Sequence, residues 1–225
     1  MDEIPELGPA LDPDILARRR TLPYKPDGVV LTGDTVQLRP YAPTDGDELH
    51  AISNGEPIMR LGRSASTYDA EELIWRFMPA GPFATSSHLA QYHDYLASLE
   101  DSLVFTVVDI ASGELVGSTS YLANEPLHLK IEIGNVWYTA AIQGSGINAE
   151  ATMLLVDHAF GLGYQRVEWK CHAANHRSRR AAEKVGFKFE GIQDAHYIHK
   201  RRRRDTAWYR LLASEQARLP QNPSR

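Results

Sequence analysis

The chain has 225 residues, 43% hydrophobic and 24% charged, with a formal net charge of −5. That length and balance suit one good-sized soluble domain with extensions. No apolar run approaches the roughly 18–20 residues that span a bilayer, and the acidic surplus opposes broad attraction to nucleic acid or anionic membrane. The single cysteine, Cys171, excludes an intrachain disulfide and suits a reducing compartment, so a cytoplasmic location is expected.

Residues 1–27 carry Pro5, Pro9, Pro13, Pro23 and Pro26. Prolines at that density block a long helix or a central strand and predict an extended arm with one short helical turn around Asp14–Arg20. The acidic, proline-broken start is not the pattern of a signal peptide. A hairpin follows, Val29–Leu31 and Val36–Arg39 about a turn at Thr32-Gly33-Asp34. Asp45 is placed to cap a short helix through Leu49 and Ile52. Glu71–Phe77 and Leu89–Leu99 read as helices, separated by the breakers Pro79, Gly81 and Pro82. Leu103–Val108, Leu115–Tyr121 and Ile131–Tyr138 read as strands.

Asn148–Phe160 is the clearest helix, with Ala151, Leu154, Leu155 and Ala159 along one face and Gly161 and Gly163 to stop it. A strand over Arg166–Cys171, a short helix over 177–185 and strands at Phe187–Glu190 and Trp208–Leu212 complete the chain. The order predicts a mixed α/β (α+β) fold, a sheet flanked by helices, as one domain over residues 28–215 with a loose tail at 216–225.

Two helix starts carry the chemistry. Gln143-Gly144-Ser145-Gly146-Ile147-Asn148 is a glycine-rich turn opening a helix, whose first N–H groups lack internal partners and suit phosphate oxygens. Glycine and asparagine also build plain turns, and the loop is neither a Walker A sequence nor a dinucleotide fingerprint. Asn175-His176-Arg177-Ser178-Arg179-Arg180 puts up to three cations in the first turn of the next helix. Cations there oppose the helix dipole. They are a solvated patch, or they meet an anion that reverses the local effect. Together the two starts point to one elongated polyanion.

In order and spacing, Gln-x-x-Gly-x-Asn, Asn-x-x-Ser-Arg-x-Ala and Gly186-Phe187 with Glu190-Gly191 resemble the GNAT superfamily of acetyl-CoA-dependent N-acetyltransferases. Trp75–Pro79, Glu132-Ile133-Gly134 and Arg204-Asp205-Thr206 make the chain similar to its RimJ/RimL-type group. The resemblance runs from about Val29 to about Glu215. It implies a central, mostly antiparallel twisted sheet of about seven strands. It implies pantetheine along the strand edge at Val136, Trp137 and Tyr138, and pyrophosphate on Gln143, Gly144, Ser145, Gly146, Ile147 and Asn148. Asn175 would meet the pantetheine arm, and Ser178, Arg179 and Arg180 the adenosine and its 3′-phosphate. The chain departs from the pattern twice. Asn148 stands where the loop usually ends in Gly or Ala, and is expected to cap the helix. Ala182 stands where many relatives place a proton-donating Tyr.

Glu132 is the first candidate base, with a strand-face structural carboxylate as the bland alternative. His172 and His128 follow. Near pH 7 roughly a tenth of an α-amine is neutral but only ~0.04% of a lysine amine, so a protein N-terminus or a low-pKa small-molecule amine is the easier acceptor. A non-catalytic acyl-CoA-binding module is the alternative, and monomer and homodimer both stay open. Lys200–Arg204 reads as a solvated hairpin loop, a nuclear address or a nucleic-acid contact. No metal site is expected, because the pairs His172/His176 and His196/His199 lack an evident third ligand.

Overall fold

The computed structural model describes residues 8–218 apart from Pro9, so the first seven residues of the arm and residues 219–225 of the tail lie outside the described residues. The chain runs α1 (Pro13–Arg18), β1 (Leu31–Thr32), β2 (Val36–Pro40), α2 (Gly46–Ala51), β3 (Ile58–Arg60) and β4 (Arg63–Ala65). A single π-helical turn follows at Glu71–Trp75, then α3 (Ser86–Ser98), β5 (Leu103–Asp109), β6 (Leu115–Glu125) and β7 (Lys130–Tyr138). The C-terminal part is α4 (Ile147–Leu162), β8 (Arg166–His172), α5 (His176–Lys184), β9 (Lys188–His199) and β10 (Arg202–Leu212).

The main sheet has eight strands in the order β1-β2-β5-β6-β7-β8-β10-β9, and β3 and β4 make a separate ribbon. Every neighbouring pair in the main sheet is antiparallel except β7 and β8. That exception follows from the connection, because β7 reaches β8 through α4, a crossover that two parallel strands require. One core lies between the sheet and α4, with Leu155, Val156 and Ala159 packed against Ile131, Ile133 and Val167. A second lies under α2, the π turn and α3, and centres on Trp75, Leu49, Leu89 and Trp137. The Tyr121 hydroxyl donates to the Leu155 carbonyl at 2.5 Å, and Glu150 accepts from the Thr35 backbone N–H at 2.8 Å, which fixes α4 against both β6 and the β1–β2 turn.

The edges of several expected elements move. The β3–β4 ribbon is absent from the sequence reading because Ile58-Met59-Arg60 and Arg63-Ser64-Ala65 are three residues each, too short to show alternation. Strands β9 and β10 are much longer than expected. β9 is mostly exposed along its length and so lacks the apolar alternation that marks a half-buried strand. The arm is docked: Leu22 is buried, the Asn124 amide donates to the Pro23 and Tyr24 carbonyls at 2.8 Å, and Arg19 Nε donates to the Leu127 carbonyl at 2.7 Å. The tail begins as a 3-10 turn over Ala213–Arg218, and Gln216 donates to Asp157 at 2.9 Å.

Asp45 does not cap α2. Its carboxylate turns back to take both Arg39 guanidinium nitrogens at 2.7 Å, the Ala42 N–H at 3.1 Å and the Thr106 hydroxyl at 2.7 Å. Burial alone would raise the Asp45 pKa, but Arg39 and the two further donors outweigh it and hold the carboxyl below its ordinary value. A depressed folded-state pKa stabilises the fold above the unfolded value of about 3.9, and that contribution is lost as pH falls through the folded value. Asp45→Ala is expected to cost about 2–3 kcal/mol at pH 7. The gap from the wild type should narrow below about pH 4, as read by urea unfolding across pH. A gap that does not change with pH would contradict an ionised role for Asp45.

Candidate active site

The parallel pairing of β7 with β8 holds from Lys130/Arg166 to Ile133/Trp169 and then ends, although both strands continue. The cause is in β7. Its register against β6 jumps between Ser120/Gly134 and Ser118/Trp137, so Asn135 and Val136 together oppose Thr119, and Asn135 takes φ 50°. Such a bulge bends and twists the strand that carries it. Gly134–Tyr138 therefore leans away from β8, and its edge opens into a cleft of about 680 Å³.

One end of the cleft is the loop before α4. Gly144 has φ 80° and Gly146 φ 96°, and a Cβ on Gly144 would meet nothing within 4 Å. Within the loop, Ser145 N–H bonds back to the Ile142 carbonyl at 3.1 Å. The N–H groups of Gly144 and Gly146 have no described partner, and those of Ile147 and Asn148 start α4, where no helical partner exists. Clustered free N–H groups at the positive end of a 16-residue helix form an anion seat. The cap of α4 is Gly146; Asn148 sits inside the first turn, with its buried Oδ1 unpartnered and the residue lining the cleft.

Helix α5 forms the adjacent wall. Asn175 caps it by accepting the Ser178 N–H at 3.1 Å, and the Ser178 hydroxyl accepts from Trp169 Nε1 at 3.0 Å. Arg180 and Lys184 line the cleft beyond them. Arg177, which the motif reading leaves without a role, spans the cleft mouth, donating to Gln143 Oε1 at 3.1 Å and to the Leu73 carbonyl at 2.9 Å. Ala182 is fully buried, so no hydroxyl projects from that position.

The other end is charged and aromatic. Glu132 lines it, buried, with Lys170 Nζ at 2.8 Å. Lys170 also stands 3.5 Å from Glu168 and 4.1 Å from the centre of the Trp208 ring. Burial pushes the Glu132 carboxyl above its ordinary value, against the pull of Lys170. Burial works the other way on Lys170, but Glu132 and Glu168 outweigh it and hold the ammonium above its ordinary value. Phe77, Met78, Pro79, Tyr197 and Arg204 complete this end.

Of the residues expected in the site, Glu132, Val136, Trp137, Tyr138, Gln143, Gly144, Ser145, Gly146, Asn148, Asn175, Ser178 and Arg180 meet on this one cleft. Ile147 adds a free backbone N–H at the start of α4, while its side chain is buried in the core. Two stand elsewhere. Arg179 turns to the far side of α5, donating to the Tyr209 hydroxyl at 3.0 Å and lying over Phe189. His172 packs between Phe77 and His199, its Nδ1 accepting the Ala174 N–H at 3.1 Å. The sequence reading misses Lys170, Arg177 and Arg204. The alternation of β8 puts Lys170 on the Glu132 face, but only the register reveals the partner. Among the described residues no group of three or more His, Cys, Asp or Glu is arranged to hold a metal ion, and no helix is long and apolar enough to cross a membrane.

The acetyltransferase (GNAT) domain model matches residues 35–188. The chain belongs to the GNAT family of acetyltransferases. A GCN5-related N-acetyltransferase from Brucella melitensis is 36% identical and superposes with a TM-score of 0.75 over 86% of this chain and 82% of its own. A probable GNAT-family acetyltransferase from Chromobacterium violaceum is 27% identical with a TM-score of 0.80 over 96% and 100%. The probable N-acetyltransferase YjcK of Bacillus subtilis is 26% identical over 166 residues, 72% of this chain and 86% of its own. RimL, a ribosomal L7/L12 alpha-N-protein acetyltransferase, shares the fold at TM-score 0.68 and 18% identity, over 82% of this chain and 94% of its own. The chain is thus an acyltransferase, of a family that uses acetyl-CoA as cosubstrate.

The Lys170 bridge yields a prediction. Lys170→Met removes the cation paired with the buried Glu132, while Glu168 keeps Arg166 at 2.8 Å. Losing one partner of a buried pair costs about 3–5 kcal/mol. The Glu132 carboxyl, already raised by burial, then ionises still less readily, so the variant should regain stability as pH falls from 8 to 5, which chemical denaturation at both values measures.

Proposed function

We propose that this GNAT protein moves an acetyl group from acetyl-CoA directly to a primary amine, without a covalent enzyme intermediate. One observation carries the reading: the cleft joins a seat of N–H groups without protein partners, at Gly144 and Gly146–Asn148, to a buried carboxylate at Glu132. The pyrophosphate fits the seat and the first turn of α4. Arg180 and Lys184 supply charge for the adenosine 3′-phosphate. The exposed edge of Gly134–Tyr138 suits the amides of the pantetheine arm.

Chemically, the neutral amine attacks the thioester carbonyl carbon, the C–S bond breaks and CoA leaves as a thiolate. The backbone at Trp137 and Tyr138 is positioned to polarise the carbonyl oxygen. Glu132 takes the proton shed by the amine. Its raised pKa makes it a stronger base than an ordinary carboxylate, as this role requires. With Ala182 in the tyrosine position, no side chain there protonates the thiolate; solvent at the open mouth supplies that proton. His172, outside the cleft wall, takes no part. An α-amine, already partly neutral at pH 7, is the acceptor best matched to a carboxylate base.

Acetyl-CoA at 100 times its Kd is expected to add about 2.7 kcal/mol to unfolding stability, seen as a raised melting temperature. Thiol release should follow when α-amines are added. A protein that neither shifts with millimolar acetyl-CoA nor releases thiol with any amine would overturn the reading. Glu132→Gln should lower kcat/KM about 100-fold and remove the limb that rises with Glu132 ionisation, above the ordinary carboxylate range near 4.3. An unchanged pH–rate profile would exclude Glu132 as base.

A further inference from the structure

The acceptor end of the cleft holds a cation that acetyl transfer leaves unused. Lys200–Arg204 is not the uniform solvated run its composition suggests. Lys200 Nζ reaches Glu71 at 2.8 Å and the Trp75 carbonyl at 2.7 Å, and Arg203 pairs with Asp205 at 3.2 Å. Arg201 and Arg202 face solvent. Arg204 alone turns into the cleft, partly buried, its guanidinium 5.5 Å from the centre of the Tyr197 ring. It has no hydrogen-bond or ion-pair partner among the described residues, and its Nε is fully covered.

A guanidinium partly withdrawn from water without a partner is costly, and burial lowers the Arg204 pKa accordingly. Glu132, which lines the same cleft, does not relieve it, because it is committed to Lys170 at 2.8 Å. The phosphates of the donor do not explain it either. The seat proposed for them is on α4 and α5, whereas Arg204 lies close enough to Glu132 to act on its charge. A guanidinium can only donate, so what satisfies it is an acceptor group. A guanidinium fork beside an aromatic ring is matched to a planar carboxylate.

We infer that Arg204 is a specificity-determining residue that binds a carboxylate of the acceptor, so the substrate is an amine bearing an acidic group close to its nucleophilic nitrogen. The inference rests on the acetyl-transfer reading and narrows it. Two sources supply that chemistry: the α-carboxylate of a free amino acid, or the side chain of an acidic first residue in a peptide.

The test is thiol release from acetyl-CoA with matched acceptors. These are free glutamate and aspartate against their α-amides, and peptides beginning Asp or Glu against those beginning Asn or Gln. The wild type should favour the carboxylate member of one series by about tenfold to 100-fold in kcat/KM, chiefly through KM. The favoured series tells which source is used. In Arg204→Gln that ratio should fall to near one, and Arg204→Lys should restore part of it. A wild type without preference overturns the inference, as does an Arg204→Gln loss shared equally by amide acceptors. If no amine is turned over, the transfer reading itself fails. The inference is then decided by titrating CoA-saturated protein with N-acetylaspartate: binding that Arg204→Gln loses sustains it, and no binding overturns it.

Discussion

Everything functional here depends on the point where β7 and β8 stop pairing. Two parallel strands in mid-sheet would ordinarily satisfy each other to their ends. The bulge at Asn135–Val136 prevents this, and it releases a stretch of backbone polar groups in the centre of the protein. A sheet interior is too rigid to close the gap by drift, because α4 and the Trp75–Trp137 core brace it from both faces. The fold thus keeps a permanent opening whose walls are main chain, lined where needed by a few side chains.

The two ends of that opening work by different physics. At the α4 end, geometry sets the character: positive-φ glycines leave N–H groups free, and the dipole of a 16-residue helix adds a field that needs no ionised side chain. At the Glu132 end, side-chain charges decide. Glu132, Glu168, Lys170 and Arg204 come from three strands and sit close together in partly dry surroundings. Glu132 and Lys170 hold each other's charge, so a change in one alters the protonation preference of the other.

This difference also governs what the sequence reveals. The α4 end is legible because it is local: strand, glycine turn and helix follow one another within about thirty residues, and the turn needs glycine for stereochemical reasons. Helix α4 shows because a core-facing stripe must repeat with the helical period. The Glu132 end is not local. Lys170 and Arg204 are ordinary cations in ordinary strands until register sets them beside Glu132, and Arg204 hides in a run that reads as solvated charge. Asp45 and Asn148 mislead for a related reason. Both are good cap residues by type, but Arg39 and Thr106 claim the first, and Gly146 already ends the turn before the second. Arg179 shows the limit of motif transfer, since one step around a helix moves a side chain from the cleft to Tyr209.

Arg177 and Lys200 have a consequence beyond their own contacts. Both end on backbone carbonyls of the same short π-helical segment, Arg177 from the helix that borders the donor and Lys200 from the tip of the β9–β10 hairpin. Contacts to carbonyls do not depend on which side chains that segment carries. Leu73 and Phe77 can therefore be exchanged for residues of other shapes without cutting the two tethers that hold the segment in place. Leu73 and Phe77 are thus the positions at which the shape of the cleft changes at least cost to the tethers, whereas Glu71, which also pairs with Lys200, and the buried Trp75 hold the segment in place.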